Sequence, residues 1–464
     1  MNNFYILIIS IFLMSILFFP ILKLSNSMYG LSQKFLITII TYTHTISIGW
    51  LFFKKDTYNV YGWNAIKDFD FTFLNLIISY LPFYLFMLLF LFFFYLFNLL
   101  FSVDRSYLSQ INIFKLTRII RVNLPRKILK DYSSLIYILG FLSIFLSYFI
   151  LISGKGFVGV IINDPLPFKL IGISYYLIKF IIPIINSILF ILSRNKKKLF
   201  FFIFFVSLIA GSSQLSRSTF LIGLIIPIII LLIFSKSNFL KLILIFIISF
   251  GLYHIGSLRD LIYSSLNPDR TLSVVPIANW HMHFFLSIKN IFTSDFWLKS
   301  LNIFMSIISR ISPAQGIILG NQFNLDLVGG SFEIFKGIIY HGFQNIPDHY
   351  FYVWMGIDLP KGFAHGGGIF SLITALWHYN KFLFVISSIY LCLWCKFFDF
   401  ITFKFYKLGP LLIFGLNFLS IMVLIIWIGN LSFYLYVLIL IILFLFHKIN
   451  FRNIDQSIHF FIKK

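Results

Sequence analysis

"GSSQLSRSTFLIGLIIPIIILLIF", residues 211–234, joins a turn of small polar residues to an apolar run, with one cation, Arg217, at the joint. From 218 to 235 no residue is charged. That run approaches the roughly 20 residues that a helix needs to cross a bilayer. The stretch therefore reads as a membrane helix with a permanent positive charge at its mouth. Its side of the membrane, and the group it meets there, decide what the chain can do.

The rest of the chain has the same texture. Of 464 residues, 59% are hydrophobic and 11% charged, and the mean hydropathy is +0.94. A soluble domain carries about a quarter charged residues, so no large soluble domain is expected. The apolar runs lack the alternation of an outer-membrane barrel. The expected fold is an all-α polytopic membrane protein with 11–12 transmembrane helices. The expected spans are 4–22, 35–53, 78–101, 133–153, 170–192, 199–211, 218–235, 240–256, 379–396, 408–428 and 430–448. The first run lacks a basic leader region and is expected to be retained. The segment "LNIFMSIISRISPAQGIILG" (301–320) is broken by Arg310, Pro313 and Gly316; a twelfth span, a re-entrant piece and an interfacial helix are all open for it. The expected organisation is an N-terminal bundle (1–256), a large loop (257–378) and C-terminal helices with a tail (379–464).

A net charge of +22 suggests nucleic acid in a soluble protein. Here it reads as topogenic, because Lys and Arg hold loops in the cytoplasm, and no nucleic-acid partner is expected. Residues 102–132 carry Arg105, Lys115, Arg118, Arg121, Arg126, Lys127 and Lys130 against Asp104 and Asp131. That loop is expected inside, as is "RNKKK" at 194–198. Alternation then puts 11 of the 15 acidic residues outside, among them the single glutamate, Glu333. It also puts Arg217 outside, in a short loop where the same rule disfavours arginine. Arg259 in "HIGSLRDLIYSS", Arg270 in "NPDRTL" and Arg310 share that position.

An outer arginine has a bland reading as a snorkelling side chain or an ion pair, such as Arg259 with Asp260. Its functional reading is anion binding, since a guanidinium fork matches phosphate oxygens and keeps its charge. Lys179, inside "FKLIGISYYLIKFIIPIINS", is a candidate for the same site, because an ionisable residue within a span is a functional hypothesis by default. In the segment 329–382 lie Glu333, His341, Asp348, His349, Asp358, His365 and His378. Of these Glu333, His349 and His365 are the candidate proton-transfer groups. "AHGGG" (364–368) offers Gly366 and Gly367, whose backbone can approach a ligand closely.

Other chemistries find little support. "WHMH" sets His281 and His283 two apart with no third ligand at motif spacing, so no metal site is expected. Cys392 and Cys395, in "CLWC", read as packing residues. His44 in "TYTHTIS" is an intramembrane histidine of the sort an acyltransferase would use. No P-loop, GxSxG, HExxH or dinucleotide-binding fingerprint occurs.

Many spans, basic inner loops, the outer-face "GSSQLSRSTFLIG", one large late loop and "HGGGIFSLITALWHYNKFLFVISS" resemble the Wzy-type O-antigen and oligosaccharide repeat-unit polymerases. The resemblance implies the all-helical fold of membrane glycosyltransferases with lipid-linked donors, in the bacterial inner membrane. It implies transfer of a glycan from undecaprenyl pyrophosphate to the end sugar of another lipid-linked unit, without a metal or other cofactor. Arginines would bind the pyrophosphate, with Arg217 and Arg259 as the matching positions. Membrane lipid and a polysaccharide chain-length regulator are the other implied partners. An O-antigen ligase would use the same donor; a flippase would show symmetric halves and short loops.

Overall fold

The computed structural model describes residues 30–53, 73–100, 132–153, 170–193, 196–234, 238–264, 277–311, 331–339, 373, 376–405, 410–427 and 431–450. Among the described residues every regular element is helical and none is a strand. They form α1 (Leu31–Phe53), α2 (Phe73–Leu100), α3 (Ser133–Ser153), α4 (Leu170–Tyr176), a π turn (Leu177–Ile181), α5 (Ile182–Leu192), α6 (Lys196–Ser213), α7 (Arg217–Phe234), α8 (Asn238–Ser264), α9 (Ile277–Asn290), α10 (Ser294–Ile311), α11 (Ser331–Ile339), α12 (Lys381–Phe403), α13 (Pro410–Trp427) and α14 (Leu431–Asn450).

Among the described residues five stretches are long and apolar enough to cross a membrane: Ile78–Phe97, Ser133–Ser153, Leu170–Ile191, Asn238–Ile262 and Lys381–Phe403. Three more apolar stretches, Arg217–Leu232, Leu412–Ile425 and Phe433–Leu445, are shorter. That is fewer than the eleven or twelve read from the sequence. The reasons are local. α1 opens on Ser32, Gln33 and Lys34, α6 opens on three lysines, and the run 4–22 lies outside the described residues.

The chain divides into two compact units. Unit 1 holds residues 1–116 and 305–464; unit 2 holds 117–304. In unit 1, α12 packs against α1, α2 and α13. Aromatic edges join these helices: Phe384 of α12 lies 5.9 Å from Phe86 of α2, and Phe35 of α1 lies 4.9 Å from Phe414 of α13. α12 runs past the expected span end at 396, so Asp399 sits on a helix rather than in a loop. Its Oδ1 accepts from the Ser32 backbone N–H at 2.9 Å, which satisfies a donor at the start of α1. Asn417 of α13 donates to Thr402 at 2.7 Å and accepts from the Ser32 hydroxyl. His44 is fully buried against Phe83 and Tyr80. Cys392 and Cys395 are buried and free.

Unit 2 contains the turn between α6 and α7. The carboxyl ends of α3, α6 and α8 and the start of α7 share one end of the bundle. A single core proves it: Leu151, Ile209, Leu215, Leu258, Ile262 and Trp280 pack together. The helices alternate up and down as the charge pattern requires. Close approach depends on small residues, as is usual between helices in lipid. At Gly251 of α8 a methyl group would sit 2.1 Å from the Phe220 ring of α7.

After α8 the chain turns amphipathic. α10 buries Phe296, Ser300 and Ile303 while Trp297, Leu298, Leu301 and Phe304 are exposed. The first part of the 301–320 segment is thus the second half of this amphipathic helix, and the part beyond Ile311 lies outside the described residues.

A Gly251→Val protein is expected to lose stability, because the added atoms have no space and overpacking costs about 1–3 kcal/mol. A clear drop in the unfolding midpoint of detergent-solubilised protein checks this; an unchanged midpoint contradicts the packing of α7 on α8.

Candidate functional site

The site begins at the turn between α6 and α7. Ser212 and Ser213 spend their hydroxyls on the carbonyls of Leu208 (2.8 Å) and Ala210 (2.9 Å), as serines at helix ends commonly do. The backbone then closes through Ser216 N–H to the Gly211 carbonyl at 2.8 Å. Closure needs a left-handed residue, and Leu215 takes that role at φ 51°. A leucine there is strained. Its side chain is 1% exposed in the core under the turn, and that burial offsets the strain.

Ser216 caps α7, its Oγ accepting from the Thr219 N–H at 3.3 Å, which is the ordinary N-cap bond. Arg217 is therefore the first residue of the helix. A cation there faces the positive end of the helix dipole, an arrangement that costs roughly 0.3–1 kcal/mol. Arg217 thus stands against the helix dipole, and an anion bound at this point would offset that cost.

α8 supplies the wall. A methyl added to Gly256 would lie 3.8 Å from Arg217 Nε and 2.4 Å from Ile303 Cδ1. The arginine stem and α10 both cross α8 where it has no side chain. Arg259 stands three residues further along α8, on the same face as Gly256. The expected loop boundary at 256 is corrected here: α8 continues to Ser264, so Arg259 belongs to a helix end rather than to a loop. Its neighbour Asp260 forms an ion pair with Lys299 of α10 at 2.8 Å.

Lys179 joins from the other side. Pro183 has no N–H to give the carbonyl of residue 179, and its ring crowds that carbonyl. The helix widens into the π turn, and Ile182 N–H reaches Leu177 O; such bulges often lie at functional sites. Lys179 is 8% exposed and its ammonium donates to the Tyr175 hydroxyl. The Gln214 amide donates to the Tyr175 carbonyl at 3.1 Å and accepts from Thr219 at 2.7 Å. One network thus ties the π turn to the first turn of α7.

A second polar cluster, not among the candidates read from the sequence, lies between α8 and α9. His254 is fully buried, and its Nδ1 lies 3.1 Å from Ser287 Oγ. His283 Nδ1 lies 3.2 Å from the same oxygen. Burial and Lys299 push the His283 imidazole below its usual range, with Asp260 acting in the other direction. Tyr148 of α3 meets His281 at 2.9 Å. A histidine in an apolar run carries no spacing signal, which is why "YHIG" did not stand out.

Arg217, Arg259 and Lys179 thus fall in unit 2, the first two on the adjoining ends of α7 and α8. Arg310 lies on α10 and Glu333 on α11 by backbone position. Arg270, His349, His365, Gly366 and Gly367 lie outside the described residues. Among the described residues no three His, Cys, Asp or Glu side chains group as metal ligands.

Replacing Gln214 by Leu is expected to leave the Tyr175 carbonyl and the Thr219 hydroxyl without their partner, at about 1–3 kcal/mol. Thermal unfolding of the variant checks this; stability equal to the parent contradicts the bridge. No protein-family model, no curated protein and no solved structure matches this chain.

Proposed function

We propose that the chain is a membrane glycosyltransferase that polymerises lipid-linked oligosaccharide repeat units on the outer face of the bacterial inner membrane. It would be embedded there by eleven or twelve spans. The donor is a glycan on undecaprenyl pyrophosphate and the acceptor is the end sugar of a second such unit. The observation that supports this reading is Arg217 as first residue of α7, with Arg259 on the facing end of α8. Two guanidinium groups and a helix N-terminus at one end of a bundle suit a diphosphate at headgroup depth.

The chemistry follows from the bond that breaks. The sugar C1–oxygen bond to phosphate opens, and its electron pair stays on the pyrophosphate. Fixed cations stabilise the charge that develops in that step. The acceptor hydroxyl gives its proton to a base, for which Glu333, His349 and His365 are the sequence candidates. The leaving group is undecaprenyl pyrophosphate, which keeps the electron pair of the broken bond, so no nucleotide is consumed.

Purified protein given lipid-linked repeat units without ATP is expected to produce a ladder of longer glycans. Arg217→Ala and Arg259→Ala should each reduce the ladder about a hundredfold or more, the size of effect seen when one charge-stabilising donor is lost. Arg217→Lys should also be impaired, because a point charge does not replace a bidentate fork. Full ladders from both alanine variants would overturn the pyrophosphate role. Glycolipid movement across vesicles with no ladder would favour a transporter instead.

A further inference from the structure

The hairpin of α9 and α10 can be placed in depth by its register against α8. The part of α8 that is long and apolar enough to cross a membrane is Asn238–Ile262, 25 residues, so its middle lies at Phe250. Trp280, near the start of α9, packs with Leu215, Leu258 and Ile262 at the Arg217 end. Further along α9, Phe284 meets Phe250 and His254, and Ser287 meets His254. At the last residue of α9 the Asn290 amide donates to the Tyr253 hydroxyl at 3.2 Å. α10 then begins near the same depth, with Phe296 4.7 Å from Tyr253 and Trp297 6.3 Å from Phe246. From there it climbs back. The Ser300 hydroxyl donates to the Ser249 carbonyl at 3.3 Å, and Ile303 lies against Gly256, beside which Arg217 Nε also lies. The chain therefore runs down α9 to the middle of α8 and returns along α10 towards the end it left.

The tip suits a place without water. Between the two helices the Ile291 N–H donates to the Ile288 carbonyl at 3.3 Å and the Thr293 N–H to the Asn290 carbonyl at 2.9 Å. The Thr293 hydroxyl donates to the same carbonyl at 2.7 Å and accepts from the Phe296 N–H at 3.3 Å. The turn thus satisfies its N–H groups internally, as lipid demands of any segment within it. The free surface of the hairpin is apolar. Met282, Phe285 and Ile288 of α9 and Leu298 and Leu301 of α10 are exposed, and Phe292 at the tip is 94% exposed. Trp297 touches Phe246, which with Leu242 and Ile245 forms the exposed flank of α8, so this surface continues the flank of the span. The charges are opposed in sign. Lys289 and Asp295 stand three residues either side of Phe292, and Lys299 reaches Asp260 near the end of α8 at 2.8 Å. Charges at membrane depth persist chiefly by pairing or by reaching towards the interface. In water the same surface would be a contiguous apolar patch, which soluble faces avoid.

We infer that α9 and the first part of α10 (277–304) form a re-entrant hairpin. It enters the lipid from the Arg217 end, turns at Phe292 near the middle of the bilayer and heads back to the same end, with its exposed apolar face against acyl chains. Lipid is the partner because the face is continuous with the flank of a membrane span. The inference depends on α8 crossing the membrane. It does not depend on the proposed polymerase activity, nor on which side of the membrane Arg217 lies. Its consequence for topology is that neither α9 nor this part of α10 is a crossing.

The test uses full-length protein in lipid nanodiscs, with both native cysteines replaced by serine and one spin label attached through Phe292→Cys, Phe304→Cys or Ser218→Cys. Relaxation of each label is read with oxygen, which concentrates in lipid, and with a water-soluble nickel chelate. The chelate should act about tenfold more weakly at 292 than at 218, because the bilayer core holds no water, while oxygen acts more strongly there. Position 304 should fall between the two. A label at 292 that the chelate reaches as readily as 218, or that lies no deeper than 304, would overturn the hairpin. A label at 292 shielded from both reagents would put protein on this face and overturn the lipid contact. Since a label can disturb the turn, the unlabelled protein in nanodiscs is also followed by hydrogen exchange. Amides of residues 289–296 should stay protected for minutes; exchange within seconds, as expected of a turn in water, refutes the inference.

Discussion

The first turn of α7 is where the forces on unit 2 meet. Arg217 cannot be moved without undoing several other choices. Ser216 must cap the helix, Leu215 must accept a left-handed backbone, and Gln214 must bridge to Tyr175. Gly256 must leave space on α8 for the arginine stem. Each of these residues has a local cost or a lost opportunity. Leucine is strained where glycine would be at ease, glycine weakens α8, and a buried glutamine must have both ends satisfied. The return on all of them is one guanidinium held at a defined place at the end of a membrane bundle.

Much of the architecture is legible in the sequence because lipid imposes a simple rule. Every backbone polar group must be satisfied within the segment, so long apolar runs become helices. All the expected spans that fall among described residues lie on helices, and the ends that gather around Leu215 obey the alternation read from basic loops. Boundaries were harder to read. Asp399 and Arg259 were assigned to loops because charge ends a hydropathy run. In the structure α12 and α8 carry them on helical turns past that point. The packing of α12 was illegible for a different reason. α12 packs on α1 and α2 across hundreds of residues of sequence, through aromatic edges that follow no short-range period.

The candidate site shows the same split between charge and packing. Arg217 and Lys179 stood out as permanent charges in apolar surroundings. Gln214 and His254 did not, because polar residues within a membrane segment have meaning only through their partners. Gln214 is recognisable once Tyr175 and Thr219 flank it, and His254 once Ser287 lies beside its Nδ1. Pro183 gave a readable signal that was left unused. A proline four residues after a buried lysine marks where the helix widens, and the π turn lies there.

All of this requires the Arg217 end of unit 2 to face away from the cytoplasm. Ser218 is half-exposed beside Arg217, its hydroxyl 2.9 Å from that of Ser216, so a thiol of similar size there reports on this end. With both native cysteines replaced by serine, a Ser218→Cys protein in intact spheroplasts should react with a membrane-impermeant maleimide added outside. Reaction only after the membrane is opened to reagent from the cytoplasmic side would contradict the orientation, and with it the placing of a pyrophosphate site at this end.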